Sequence, residues 1–119
     1  TMKGLAEVYA ELKVCLSELT GMDAFDLTPA AGAHGELKGI MMARKYFEDC
    51  GEGHKRTEVI VLDSAHGTNL ATSTMAGFKC RIVGTEPKNG QMDLKQLSNV
   101  LAEGQVAVLM MTNPSTFGL

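Results

Sequence analysis

The chain is short of the features that would assign it quickly. Its three cysteines, Cys15, Cys50 and Cys80, are odd in number, far apart and never in a CxxC pair. That pattern supports neither a disulfide framework nor a zinc site, and it suits free thiols in a reducing compartment, the cytoplasm. No apolar run approaches the ~20 residues of a membrane span. The opening TMKGLAEVYAELK goes directly into amphipathic helical spacing, unlike a signal peptide. Positive charge is scarce too: 11 Lys and Arg stand against 14 Asp and Glu, a net charge of −3 with both signs mixed along the chain. No basic patch points to nucleic acid, and His54-Lys55-Arg56 reads as a solvated loop. Neither GxxxxGK[ST] nor GxGxxG occurs, so a Walker loop and a dinucleotide fingerprint are both absent.

What is present is an ordinary globular composition. At 119 residues, 45% hydrophobic and 21% charged, the chain can bury a core of one domain's size. It opens almost on a helix and stops just past its last apolar strand, so it is expected to be part of a larger protein. Such a part would leave sheet edges open and be poorly soluble alone.

Spacing gives the elements. Leu5, Val8, Tyr9, Leu12, Cys15, Leu16 and Leu19 mark one face of a helix that Gly21 is placed to end. An extended connector leads to Pro29, and Leu37, Ile40, Met41, Arg44 and Phe47 then predict a helix over 34–50. EVIVL at 58–62 reads as a parallel strand buried on both faces. LATSTMAGF predicts a short helix stopped at Gly77, and KCRIV at 79–83 an alternating strand. Asp93 and Gln96 form a capping box for a helix carrying Leu94, Leu97, Val100 and Leu101. QVAVLMM at 105–111 gives a third strand. Met41, Met42, Met110 and Met111 are expected in the core. Alternating helices and strands imply an α/β layer with a parallel sheet.

Three loops stand out: PAAGAHGE at 29–36, DSAHGTN at 63–69 and TNPSTFG at 112–118. The last two fall at carboxyl ends of strands, where such sheets bind ligands. In the first, small residues could leave the amides of a helix start open to a phosphate, or could merely permit close packing. His34 and His66 each neighbour a glycine. An imidazole there can stack on a flat heteroaromatic ring, or act as an ordinary cap or surface residue. His34-Gly-Glu36 matches the H-x-E of zinc deaminases, but the accompanying P-C-x-x-C is missing and a metal is rejected. Asp63 could bind a ligand or cap the next turn, and Thr68 and Asn69 are placed to cap the helix that follows. No Ser–His–Asp arrangement with a nucleophile elbow is visible.

Together the loops resemble the glycine decarboxylase P-proteins of the glycine cleavage system. AAGAHGELKGIMMARKYFEDCGEGHKRTEVIVLDSAHGTN and MAGF…MDL…VAVLMMTNPSTFGL are similar to subunit 2 of the two-subunit bacterial form, along essentially all 119 residues. Single-chain P-proteins more often carry serine and glutamine where Ala31 and His34 stand, and Leu70 replaces the family's usual proline.

The resemblance implies part of the large domain of the aspartate-aminotransferase-like, type I pyridoxal 5′-phosphate (PLP) fold, with a helix and connector over 1–28 and a cofactor-binding α/β segment over 29–119. By that likeness Gly32, Ala33 and His34 match the phosphate-holding segment, His66 the residue stacked on the pyridine ring, and Thr112 and Asn113 the strand end near the ring substituents. Thr68 joins the same cofactor-binding set. The implied activity is glycine dehydrogenase (aminomethyl-transferring): glycine is decarboxylated through a PLP imine and its aminomethyl group passes to the lipoyl arm of the H-protein. Subunit 1 and a multimeric assembly are the further partners implied. The Schiff-base lysine and the aspartate that pairs with the pyridinium nitrogen are implied outside these residues, so no catalytic residue is assigned and the segment alone is expected to be inactive. Another type I decarboxylase or transaminase, and a non-catalytic Rossmann-like binding module, are the alternatives.

Overall fold

A computed structural model describes all residues, 1–119. It divides into two units, Thr1–Ala30 and Ala31–Leu119. The first is built on helix α1, Met2–Thr20. The Thr1 side chain caps it by accepting the Gly4 amide at 3.2 Å, and Gly21 ends it in the left-handed region at φ 73°. The apolar spacing read from the sequence is there, but it covers nothing: no residue of α1 is buried, and Val8 is 59% exposed.

The second unit is an α/β layer in the order α2 (Gly32–Asp49), β1 (Glu58–Leu62), α3 (Gly67–Met75), β2 (Lys79–Val83), α4 (Leu94–Ala102) and β3 (Val106–Met110). The three strands are parallel in the order β2-β1-β3, with β1 central. β1 is buried at every position, as its unbroken apolar run requires. Side chains alternate across it. Val59 and Val61 pack with Ile40 of α2 and with Ala76 and Phe78 around the end of α3. Ile60 and Leu62 pack on the other face with Val83, Val100 of α4 and Val106. Each such apolar side chain contributes about 1.5–3 kcal/mol by leaving water. The chain steps from β1 to one neighbour and then across to the other. Right-handed crossovers must therefore put α3 and α4 on opposite faces, and the two clusters match that.

Polar contacts hold the ends. Arg44 of α2 donates from its guanidinium to the Ala76 carbonyl, at the carboxyl end of α3, where a cation meets the negative end of the helix dipole. Arg56, between α2 and β1, donates to the Val106 carbonyl at 3.1 Å and ties that loop to β3. Asp93 caps α4 by accepting the Gln96 amide at 2.9 Å. The reciprocal half of the box is not made, because the Gln96 side chain accepts the Gly84 amide instead, at 2.8 Å.

Two expectations are corrected. α3 begins at Gly67, three residues before the apolar LATSTM, and its cap is His66 rather than Thr68 or Asn69. Asn69 is buried inside the helix. Of the four methionines expected in the core only Met110 packs against it; Met41, Met42 and Met111 are exposed, while Met92, for which no such expectation was drawn, packs on the other cluster. Helical spacing put Met41 beside the buried Ile40 in sequence, but only the Leu37–Ile40 side of α2 faces the sheet.

Six glycines have positive φ, and at two of them the consequence of a side chain differs. A Cβ at Gly77 (φ 83°) would run into the Arg44 guanidinium, while one at Gly104 (φ 75°) would meet nothing within 4 Å. Gly104→Ala should therefore cost only the left-handed backbone penalty, about 1 kcal/mol. Gly77→Ala should cost that and the Arg44 contact as well, about 2 kcal/mol in all. Denaturant unfolding of the complete gene product measures both; equal losses would remove the role given to Arg44.

Candidate functional site

The site grows from the carboxyl end of β1. Leu62 is the last strand residue, and residues 63–66 turn the chain into α3. Asp63 neither caps that turn nor stays free for a ligand. Its carboxylate accepts the Thr85 amide at 3.1 Å and faces the Thr85 hydroxyl at 3.4 Å, which joins the loops after β1 and β2. Thr116, in the segment after β3, donates to the Ser64 carbonyl at 3.4 Å and brings the third loop against the same turn.

Between β1 and β3 lies the point where the strand order reverses, the place at which open parallel sheets bind ligands. A cavity of about 230 Å³ opens there, lined by Leu62, Ser64, Met92, Met111, Thr112 and Asn113 among others. Thr112 and Asn113 thus reach a real crevice. His34 and His66 do not line it. They stand, both outside the core, at the starts of α2 and α3, two helices packed against each other. The loops are therefore linked in pairs rather than gathered around one hollow.

The link between the two helix starts runs through a residue to which the sequence gives no role. The Thr68 hydroxyl lies 2.8 Å from His66 Nδ1 and 3.5 Å from Glu36 Oε1. The other oxygen of Glu36 is buried with no hydrogen-bond partner. Glu36 sits one turn into α2, where it reads as an ordinary helix-surface acid. Only the packing of α2 on α3 turns it inward.

The start of α2 carries the strongest sign of a ligand. Ala31 supplies no side-chain cap, and no acidic residue stands in the first turn. The opening amides of a helix have no partner within it and carry partial positive charge. Gly32 and Gly35 have ordinary φ, and a Cβ on either would meet nothing within 4 Å; the same holds for Gly67 at the start of α3. Close packing within the chain therefore does not account for the bare backbone. An uncapped, acid-free first turn with open space above it fits an anionic group such as the PLP phosphate. The imidazole at the neighbouring helix start fits the attached flat ring.

No family model matches the chain. Curated proteins do. It is 53% identical over 118 residues to a protein of Kosmotoga olearia named probable glycine dehydrogenase (decarboxylating) subunit 2, a match that takes in 99% of the chain and 24% of that protein. A Thermus thermophilus protein of the same name is 51% identical over all 119 residues and 25% of its own length. That of Bacillus cytotoxicus is 50% identical over 24% of its length. Along its whole length the chain is similar to glycine dehydrogenase (decarboxylating) subunit 2 proteins. It spans about a quarter of the length of the curated relatives it matches. Leu70, where a proline was expected from the family, lies inside α3, and the start of that helix is set by the His66 cap four residues earlier.

Because neither φ nor packing demands glycine at position 32, Gly32→Ala should leave the fold intact or stabilise it, by about 0.4–1 kcal/mol. A thermal or denaturant midpoint of the complete gene product checks this. A clear loss of stability would mean that the glycine serves the fold after all.

Proposed function

We propose that this segment forms part of the PLP site of a glycine dehydrogenase (aminomethyl-transferring). In this reading the complete protein decarboxylates glycine and passes the aminomethyl group to the lipoyl arm of the H-protein. It acts in the cytoplasm, together with subunit 1, in a multimeric assembly. The observation that carries the reading is the open space over Gly32, Gly35 and Gly67, on first turns that contain no acidic residue of their own. The roughly 50% identity to glycine dehydrogenase subunit 2 along the whole chain names the family in which that space has a use.

Each residue then has a physical task. Gly32 and Ala33 present amide hydrogens to the phosphate, and His34 stands on the same turn to complete its surroundings. His66, exposed at the start of α3, would hold the bound ring at one face and exclude water there. Thr68 steadies the imidazole. Thr112 and Asn113 line the crevice at the end of β3, apart from the two helix starts, and would meet the bound group from that side. PLP, when bound, supplies the electron sink that makes loss of the glycine carboxylate possible. The protein's part is orientation: the amides of Gly32 and Ala33 and the imidazole of His66 would fix the position of the bound group. The Schiff-base lysine and the acid that pairs with the pyridinium nitrogen belong to other parts of the complete protein.

The complete protein with subunit 1, PLP and lipoylated H-protein should exchange labelled bicarbonate into the glycine carboxylate. Gly32→Ala should weaken PLP binding about tenfold or more, although it spares the fold, since a methyl group would enter the phosphate's space. Exchange with another amino acid only would assign a different type I enzyme. Absence of any imine absorbance, with a nucleotide bound in its place, would assign a binding module.

A further inference from the structure

His66 has two ring nitrogens, and the fold treats them differently. Nδ1 faces the first turn of α3. The Thr68 backbone N–H donates to it at 3.2 Å, and the Thr68 hydroxyl lies 2.8 Å from it. A backbone amide can only donate, so the nitrogen it meets must present a lone pair and carry no proton. In the neutral ring the proton is then on Nε2. The hydroxyl has a single proton and two acceptors within reach, Nδ1 at 2.8 Å and Glu36 Oε1 at 3.5 Å. Hydrogen bonds weaken steeply toward 3.5 Å, so the nearer acceptor takes it.

We propose that Thr68 is a positioning residue that fixes His66 as the Nε2–H tautomer. Two donors from one residue hold Nδ1, one from its amide and one from its hydroxyl. They set both the tautomer and the plane of the ring, because a lone pair lying in the ring plane must point at them. Nε2–H, on the opposite side of the ring, is left pointing away from the helix as a donor. Since His66 is exposed, that donor is available to an acceptor atom in the neighbouring site. The use of the fixed ring rests on the proposal that His66 faces the PLP ring; the tautomer itself does not.

The opposite arrangement is chemically distinct. Were the hydroxyl proton given to Glu36, Oγ1 would turn a lone pair to the ring, and Nδ1 would have to carry the proton across the 2.8 Å contact. The half-buried Glu36, with its unpartnered oxygen, makes this the competing arrangement.

Nitrogen NMR of the cofactor-free complete protein, labelled at histidine, decides between them. His66 is assigned by the signal lost in His66→Gln. The expected result is a pyridine-like Nδ1 and a pyrrole-like Nε2, well separated at a pH where the ring is neutral. Thr68→Val keeps the backbone donor at 3.2 Å but loses the nearer hydroxyl, so the two signals should draw partly together, and Thr68→Ser should restore their full separation. Glu36→Ala should leave them unchanged. A pyrrole-like Nδ1 in the wild type, or a Thr68→Val spectrum identical to it, overturns the proposal. If Thr68→Val does not fold, the wild-type and Thr68→Ser spectra still decide. With PLP added, Thr68→Val should bind about five- to tenfold more weakly than Thr68→Ser, as the loss of one hydrogen bond allows. A wild-type protein with the expected tautomer and no affinity for PLP would overturn the function proposed above and leave the tautomer standing.

Discussion

Everything in the α/β unit follows from the need to cover β1 on both faces. Val59, Ile60 and Val61 are among the most deeply buried side chains and Leu62 is buried beside them, and no single helix could shield all four, since successive residues point to opposite sides. The crossover through α3 closes one face, with α2 laid beside it, and the crossover through α4 closes the other. Once β1 is central, β2 and β3 must be the two edges, and the reversal of strand order must fall between β1 and β3. The crevice at Thr112 and Asn113 is thus a geometric result of burying four apolar residues.

The same constraint explains why two helix starts come side by side. α2 and α3 share one face of the sheet and pack on each other, and the Thr68 hydroxyl, bonded to His66, comes within 3.5 Å of Glu36 on α2. Arg44 secures the pair at the other end, where it donates to the last carbonyl region of α3. Helices packed along one face and secured at one end by Arg44 hold their opening amides in fixed positions. A preorganised anion site needs that rigidity, because each group ordered only on binding subtracts from affinity.

Some of this was legible in the sequence and some could not be. EVIVL declared its own burial, because four consecutive apolar residues in so short a run suit a strand covered on both sides; Gly21 and Asp93 marked a helix end and a helix start by familiar chemistry. Met41 misled, since a spacing of three or four residues defines a face without saying how wide the covered part of it is. The start of α3 was misplaced because a histidine cap is uncommon beside the threonine and asparagine that follow it, and only the fold shows Nδ1 receiving the Thr68 amide. Gly32 was ambiguous for a deeper reason. A glycine that makes room for a neighbour and one that makes room for a ligand look identical in sequence, and only the absence of a neighbour within 4 Å separates them. Glu36, noticed only in an H-x-E pattern that led nowhere, gave no sign of its contact with Thr68, because that depends on which way α2 faces α3.

Two adjoining first turns, one bare and one carrying an imidazole, are the feature on which the functional reading stands. An experimental structure of the complete protein with PLP bound measures it directly. The phosphate should lie within hydrogen-bond distance of the first amides of α2, at Gly32 and Ala33, with the His66 ring parallel to the pyridine ring. A cofactor seated away from both of these turns would contradict the reading, however active the enzyme proved to be.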